Sequence, residues 1–179
     1  MKTTYVFLTT GFEEVEALAA VDVLRRAGLN VKTVSVESSR QVEASHRVEV
    51  TADLLFGEAD FSDAELLVLP GGTTRLNEFE KLKTLLLNFD KAGGKIAAIC
   101  AAPMVLGGLG LLNGKKATCY PGFEKFLTGA TLATDLPVAT DGNIVTGKGP
   151  AFALEFALTL VEAVAGKAKR DEVAAGLLI

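Results

Sequence analysis

Apolar and polar positions change rhythm along this chain in a regular way. Tyr5-Val6-Phe7-Leu8 and Val31 to Val36 are short apolar runs that read as strands. Between them, Glu13 to Ala27 places apolar residues at helical spacing, and Gly28 stops that helix. Leu66-Leu67-Val68-Leu69 is a continuous apolar run ending in Pro70-Gly71-Gly72, as a central parallel strand requires. Leu82 to Ala92 predicts another helix, Lys95 to Ile99 a buried strand, and Ala101 to Leu106 the start of a helix. The stretch from Val42 to Val50 alternates instead (Val42, Ala44, Val48, Val50). That pattern predicts an antiparallel element, at a sheet edge or as a side hairpin.

Beyond Gly107 the segments shorten. Ala117 to Tyr120 reads as a brief strand and Phe123 to Leu127 as a short helix. Val138 to Thr146 reads as a hairpin turning at Asp141-Gly142. Pro150 opens a helix to about Ala165, and Lys167 to Leu178 forms a last one. In the Pro150 helix, Glu155, Thr159 and Glu162 share one narrow polar stripe while apolar residues cover the rest. Such a helix is expected to be buried on two sides, against the sheet and against a partner subunit. Strands alternating with helices predict an α/β fold: a mostly parallel sheet with helices on both faces and a small antiparallel side hairpin.

Composition narrows the class. With 179 residues, 49% apolar and 22% charged, the chain is expected to be one folded domain spanning 1–179. A net charge of −4 argues against a nucleic-acid partner. No apolar run reaches the ~18–20 residues of a membrane span, and a strand-like segment begins at Thr3 with no signal peptide before it. Two cysteines without a CxxC spacing offer neither a disulfide framework nor a zinc site, and His46 is the only histidine. No metal or other cofactor is expected, and the two thiols fit a reducing cytoplasm.

Chemistry gathers where the strands end, because open parallel sheets bind ligands beyond their carboxyl edge. Cys100 follows its strand at once, in the pattern Ala98-Ile99-Cys100-Ala101-Ala102. Small residues two before and two after a nucleophile suit the sharp strand-to-helix elbow, with cysteine in place of serine. A thiol at a helix N-terminus is also expected to favour its thiolate. The same pattern fits a buried cysteine packing as a small hydrophobe. Gly71-Gly72 ends a neighbouring strand; backbone N–H groups at Gly72 and Ala101 are placed to hold an oxyanion, though two glycines also make a plain turn. Glu16 shares a helix face with Phe12, Ala19, Ala20 and Val23, so it points into apolar company, whereas Glu13 and Glu14 are expected to cap the helix and face water. A carboxyl so placed has a raised pKa and can move a proton beside a thiol; the alternative is an ordinary acidic residue in a first helical turn.

Five blocks carry a resemblance: Gly11-Phe12-Glu13-Glu14-Val15-Glu16, Val21 to Gly28, Leu69-Pro70-Gly71-Gly72, Ala97-Ala98-Ile99-Cys100-Ala101-Ala102-Pro103 and Gly147-Lys148-Gly149-Pro150. In this order they resemble the ThiJ/PfpI superfamily, and within it the branch of the Parkinsonism-associated protein deglycase. The resemblance covers essentially the whole chain. It implies a flavodoxin-like three-layer sandwich and a homodimer, with the reactive cysteine at Cys100, a protonated glutamate at Glu16, and oxyanion donors at Gly72 and Ala101. It also implies glyoxalase or deglycase activity on a small α-oxoaldehyde or a glycated protein, independent of glutathione and metal. Many relatives carry a histidine before a proline near the thiol, where this chain has Tyr120-Pro121. A phenol is a poor base at neutral pH, so Tyr120 is expected at most to orient a substrate. The absence of that histidine argues strongly against the protease-like branch. His46 falls where relatives place an arginine near the dimer interface; it either reaches the pocket across a dimer or is an exposed surface histidine. Cys119 is expected to be structural. The alternative function is an oxidative-stress sensor or chaperone using an oxidisable Cys100 with little turnover. No phosphate loop or basic cluster supports a role in thiazole-phosphate chemistry.

Overall fold

The computed structural model describes residues 2–179. Thr3–Leu8 (β1), Asn30–Ser35 (β2), Leu54–Leu55 (β5), Ala64–Leu69 (β6), Lys95–Ile99 (β7), Val138–Asp141 (β10) and Ile144–Gly147 (β11) form one sheet in the order β10-β11-β7-β6-β1-β2-β5. Every pairing is parallel except β10 with β11, the hairpin that turns at Asp141-Gly142. Helices Glu14–Arg26 (α1), Ala153–Ala165 (α4) and Lys167–Gly176 (α5) belong to one side; Glu80–Lys91 (α2) and Pro103–Gly108 (α3) belong to the other.

Two apolar cores result, and strand alternation divides the residues between them. Val6 and Leu8, Leu66 and Val68, and Ala97 and Ile99 join the core beneath α1 and α4. Tyr5 and Phe7, Leu67 and Leu69, and Ile96 and Ala98 enter the core beneath α2 and α3. Because both faces are covered, the central strands read as unbroken apolar runs. α4 buries most of its apolar surface within the chain, against β10, β11, α1 and α5, and leaves Leu154 exposed.

Several expectations are refined. The alternating stretch is a side hairpin, Gln41–Glu43 (β3) and Glu49–Thr51 (β4), separate from the main sheet. The main sheet ends instead at β5, two residues long and too short to show a period. The segment from Ala117 forms only Lys116–Ala117 (β8), paired with Thr131–Leu132 (β9). Phe123 to Leu127 makes a single tight turn over Glu124–Phe126, and Pro150–Phe152 does the same before α4 begins. No helix of the described residues is long and apolar enough to cross a membrane.

Candidate functional site

β6, β7 and the loop after β1 end side by side, and three chain reversals meet there. At the end of β7, Cys100 has φ +65, a conformation rare for a residue with a side chain and costing about 1–3 kcal/mol. The neighbouring strand and loop hold it: the Cys100 N–H donates to Gly147 O at 2.9 Å, and its carbonyl accepts from the Tyr120 N–H at 2.9 Å. Ala98 and Ala102 are both buried, and their small side chains suit the close packing that an elbow needs. α3 starts only at Pro103 and has six residues, so its dipole offers the thiol little.

Gly71 and Gly72 are more than a turn. A Cβ on Gly71 would lie 2.6 Å from Cys100 Cβ and 2.9 Å from Glu16 Oε2. The missing side chain is therefore the space in which the carboxyl meets the thiol. Gly72 has φ +86, and a Cβ there would lie 2.4 Å from the Glu13 nitrogen.

Glu16 projects from the first turn of α1 and is 1% exposed. Its Oε2 accepts from the Gly71 N–H at 2.7 Å; its equally buried Oε1 has no conventional hydrogen-bond partner among the described residues. Burial pushes the Glu16 carboxyl up to about 7, against the Gly71 N–H and the Cys100 thiol, which favour the ion. The thiol, 8% exposed, is pushed up to about 12 by burial and then by the negative charge on Glu16, while N–H groups of Gly72 and Ala101 pull it down. The two groups compete for one negative charge in a dry site. The upward direction at Glu16 is the firmer, since burial penalises a carboxylate held by one N–H. A proton on Glu16 removes the charge that opposes the thiolate and leaves the Gly72 and Ala101 N–H groups to favour it. The expected help from a helix N-terminus is thus replaced by these two donors, and burial works against the thiolate.

A shallow pocket of about 310 Å³ opens over Cys100, lined by Gly72, Thr73, Ala101, Tyr120, Phe123, Pro150 and, unexpectedly, Glu13. Glu13 does not face water: it is 9% exposed and makes no side-chain cap. Its N–H donates to Gly71 O at 2.9 Å, which turns the residue inward. The i,i+3 spacing of Glu13 and Glu16 was a signal that both lie on one face; nothing in the sequence pointed to Ser45, whose hydroxyl lies 3.1 Å from Glu13 Oε2. Tyr120 is 47% exposed at the rim. His46 is exposed and does not line the pocket; its Nδ1 lies 3.0 Å from Glu14 Oε2 and 3.8 Å from Glu13 Oε2, and Glu14 raises its pKa. Glu13, Glu14 and His46 form the one group of three metal-capable side chains among the described residues, with donor atoms within 4.8 Å of one another. Cys119 is buried, and burial pushes its thiol up to about 11. A larger cavity, about 710 Å³, opens at the opposite end of the strands around Lys2, Phe61, Asn88 and Lys95, and no cysteine or histidine lines it.

Comparison with known proteins places the chain by family and fold. A family model described as DJ-1/PfpI family matches residues 2–163. The chain is 42% identical to Protein DJ-1 homolog A of Arabidopsis thaliana over 183 residues, covering 99% of this chain but only 47% of that protein, so it spans about half of that relative's length. It is 32% identical to the glutathione-independent glyoxalase DJR-1.2 of Caenorhabditis elegans, covering 90% of this chain and 87% of the relative. It is 34% identical to Deglycase PH1704 of Pyrococcus horikoshii, covering 82% and 90%. The crystal structure of Drosophila melanogaster DJ-1beta superposes with a TM-score of 0.95 at 39% identity, covering 99% of this chain and 98% of that one. These neighbours share the flavodoxin-like sandwich.

Proposed function

The chain belongs to the DJ-1/PfpI family, and on that footing we propose that it is a cysteine-dependent glyoxalase or deglycase acting on α-oxoaldehydes or their protein adducts. One observation carries the reading: a buried Glu16, its pKa raised to about 7, shares the Gly71 gap with the Cys100 thiol. Names of two relatives, a glutathione-independent glyoxalase and a deglycase, support the same chemistry.

In this reading the Cys100 thiolate adds to the aldehyde carbon of methylglyoxal, and the new oxyanion accepts from the Gly72 and Ala101 N–H groups. Protonation gives a hemithioacetal. Glu16 as carboxylate removes the proton from that carbon to form an enediol, then returns one to the neighbouring carbon. The product is a thioester of Cys100, and water releases lactate and the thiol. A group with a pKa near 7 suits both halves of this transfer. Tyr120, at the rim, orients substrate rather than acting as base. Neither glutathione nor metal enters the sequence of steps.

A homodimer fits the exposed apolar side chains Val15 and Leu18 on α1, Val48 beyond β3 and Leu154 on α4. A reducing compartment fits two free thiols.

A second reading is favoured by the same donors: the Gly72 and Ala101 N–H groups with a neutral Glu16 also suit a sulfinate on Cys100, as a redox sensor with little turnover requires. Glutathione-free conversion of methylglyoxal to lactate separates the two. Turnover lost in Cys100→Ala and cut sharply in Glu16→Ala supports the enzyme. A native rate no higher than that of Cys100→Ala removes it and leaves the sensor.

A further inference from the structure

Glu13 is the one charged residue that lines the Cys100 pocket among the described residues; Gly72, Thr73, Thr74, Ala101, Tyr120, Phe123 and Pro150 complete the wall. Its backbone is fixed, because its N–H is bonded to Gly71 O at 2.9 Å and the adjacent β3–β4 hairpin is tied down by Gly11 N–H to Glu43 O and Ser45 N–H to Phe12 O, both at 2.8 Å. Its charge is little compensated. The Ser45 hydroxyl has one proton to donate and lies nearer Glu14 Oε2 (2.8 Å) than Glu13 Oε2 (3.1 Å). The His46 ring is likewise nearer Glu14 (3.0 Å) than Glu13 (3.8 Å). The hairpin therefore neutralises Glu14 first and leaves a nearly buried carboxylate facing the thiol.

We propose that Glu13 sets the charge selectivity of this pocket, turning away anionic carbonyl compounds such as 2-oxoacids and admitting neutral or cationic ones, including aldehyde adducts on amine or guanidinium side chains. In a partly desolvated pocket a carboxylate repels an anion a few ångströms away by enough to change relative rates roughly tenfold to a hundredfold. The inference rests on the reading that Cys100 is the reacting group, and Glu13 acts on what approaches it rather than on the bond changes.

Alkylation of Cys100 reads this field without any turnover. Iodoacetamide and iodoacetate both react by thiolate displacing iodide, so the thiolate fraction cancels in their rate ratio. The ratio is followed on the Cys100 peptide by mass spectrometry. In the native protein the iodoacetate-to-iodoacetamide ratio is expected roughly tenfold or more below that of a free cysteine peptide, a comparison that needs no substitution. Glu13→Gln, which keeps the acceptor for Ser45, should raise it about tenfold; Glu13→Asp should stay low, and Glu14→Gln should move it much less. A native ratio equal to the free peptide's, no change in Glu13→Gln, or an equal rise in Glu14→Gln overturns the proposal. The kcat/KM ratio for glyoxylate over methylglyoxal should follow the same order. If the alkylation ratios shift as expected while methylglyoxal is not turned over, the selectivity stands and the enzymatic reading falls.

Discussion

Gly71→Ala tests the geometry of the site with one carbon. The added Cβ would lie 2.6 Å from Cys100 Cβ, 2.9 Å from Glu16 Oε2 and 3.0 Å from Ala101 N. Carbon pairs rest at about 3.5–4.0 Å, so the thiol and carboxyl must part by roughly an ångström. Gly71 is not among the residues with positive φ, so the backbone accepts alanine and the whole effect arises from that contact. Overpacking of this kind costs about 1–3 kcal/mol. For a chain of this size that is roughly 2–12 °C in Tm. An ångström of misplacement between reacting groups costs about a hundredfold in rate, so kcat/KM should fall far more than stability does. Gly57→Ala is the control, because its Cβ would meet nothing within 4 Å. Thermal melts and methylglyoxal kinetics on both variants make the comparison. If Gly71→Ala melts within a degree of the native protein and reacts at the native rate, the carboxyl and thiol do not meet across Gly71 and the argument fails.

Glu16→Gln should change how stability depends on pH. The Glu16 pKa is raised from 4.5 to about 7 on folding, so between those values the folded state holds a proton that the unfolded state releases. That contribution is present in full below the unfolded value and is lost as pH rises through the folded one, amounting to about 3 kcal/mol. The variant should thus gain on the native protein in Tm between pH 5 and pH 8; parallel curves would refute the raised pKa. Peroxide should oxidise Cys100 before Cys119, because Cys100 opens onto the pocket beside the Gly72 and Ala101 N–H groups whereas Cys119 lies outside it and is 2% exposed, and mass spectrometry of the two peptides checks the order; equal oxidation would remove the special role of the Gly72 and Ala101 donors. Tyr120→Phe should change kcat by less than about threefold while raising KM, because a rim hydroxyl that only orients substrate contributes on the order of one neutral hydrogen bond. A hundredfold loss in kcat would make Tyr120 a proton-transfer group after all.

Legibility in the sequence differs between the fold and the site, and particular residues show why. The long strands and helices were readable because alternation and helical spacing are local: Val6 and Leu8 fall on one face and Tyr5 and Phe7 on the other by strand geometry alone. The elbow at Cys100 was readable for the same reason, since Ala98 and Ala102 lie within two residues of it. β5 was invisible because two residues carry no period. Glu13 was placed on the wrong side because its direction depends on the bond from its N–H to Gly71 O, a residue distant in the chain.

The sequence by itself determined which segments are strands and helices, that they alternate into a mostly parallel sheet, and that a cysteine follows one strand between small residues. Through its motifs it also determined the family. Only the tertiary structure decided that Glu16 is turned toward Cys100, its carboxylate accepting from the N–H of Gly71, 55 residues away in sequence, and that Glu13 faces the pocket of its own chain while His46 does not line it. Periodicity reports which side of its own element a residue occupies. Which groups share a dry space, and therefore which share a proton, depends on how separate elements pack, and no local pattern encodes that distance.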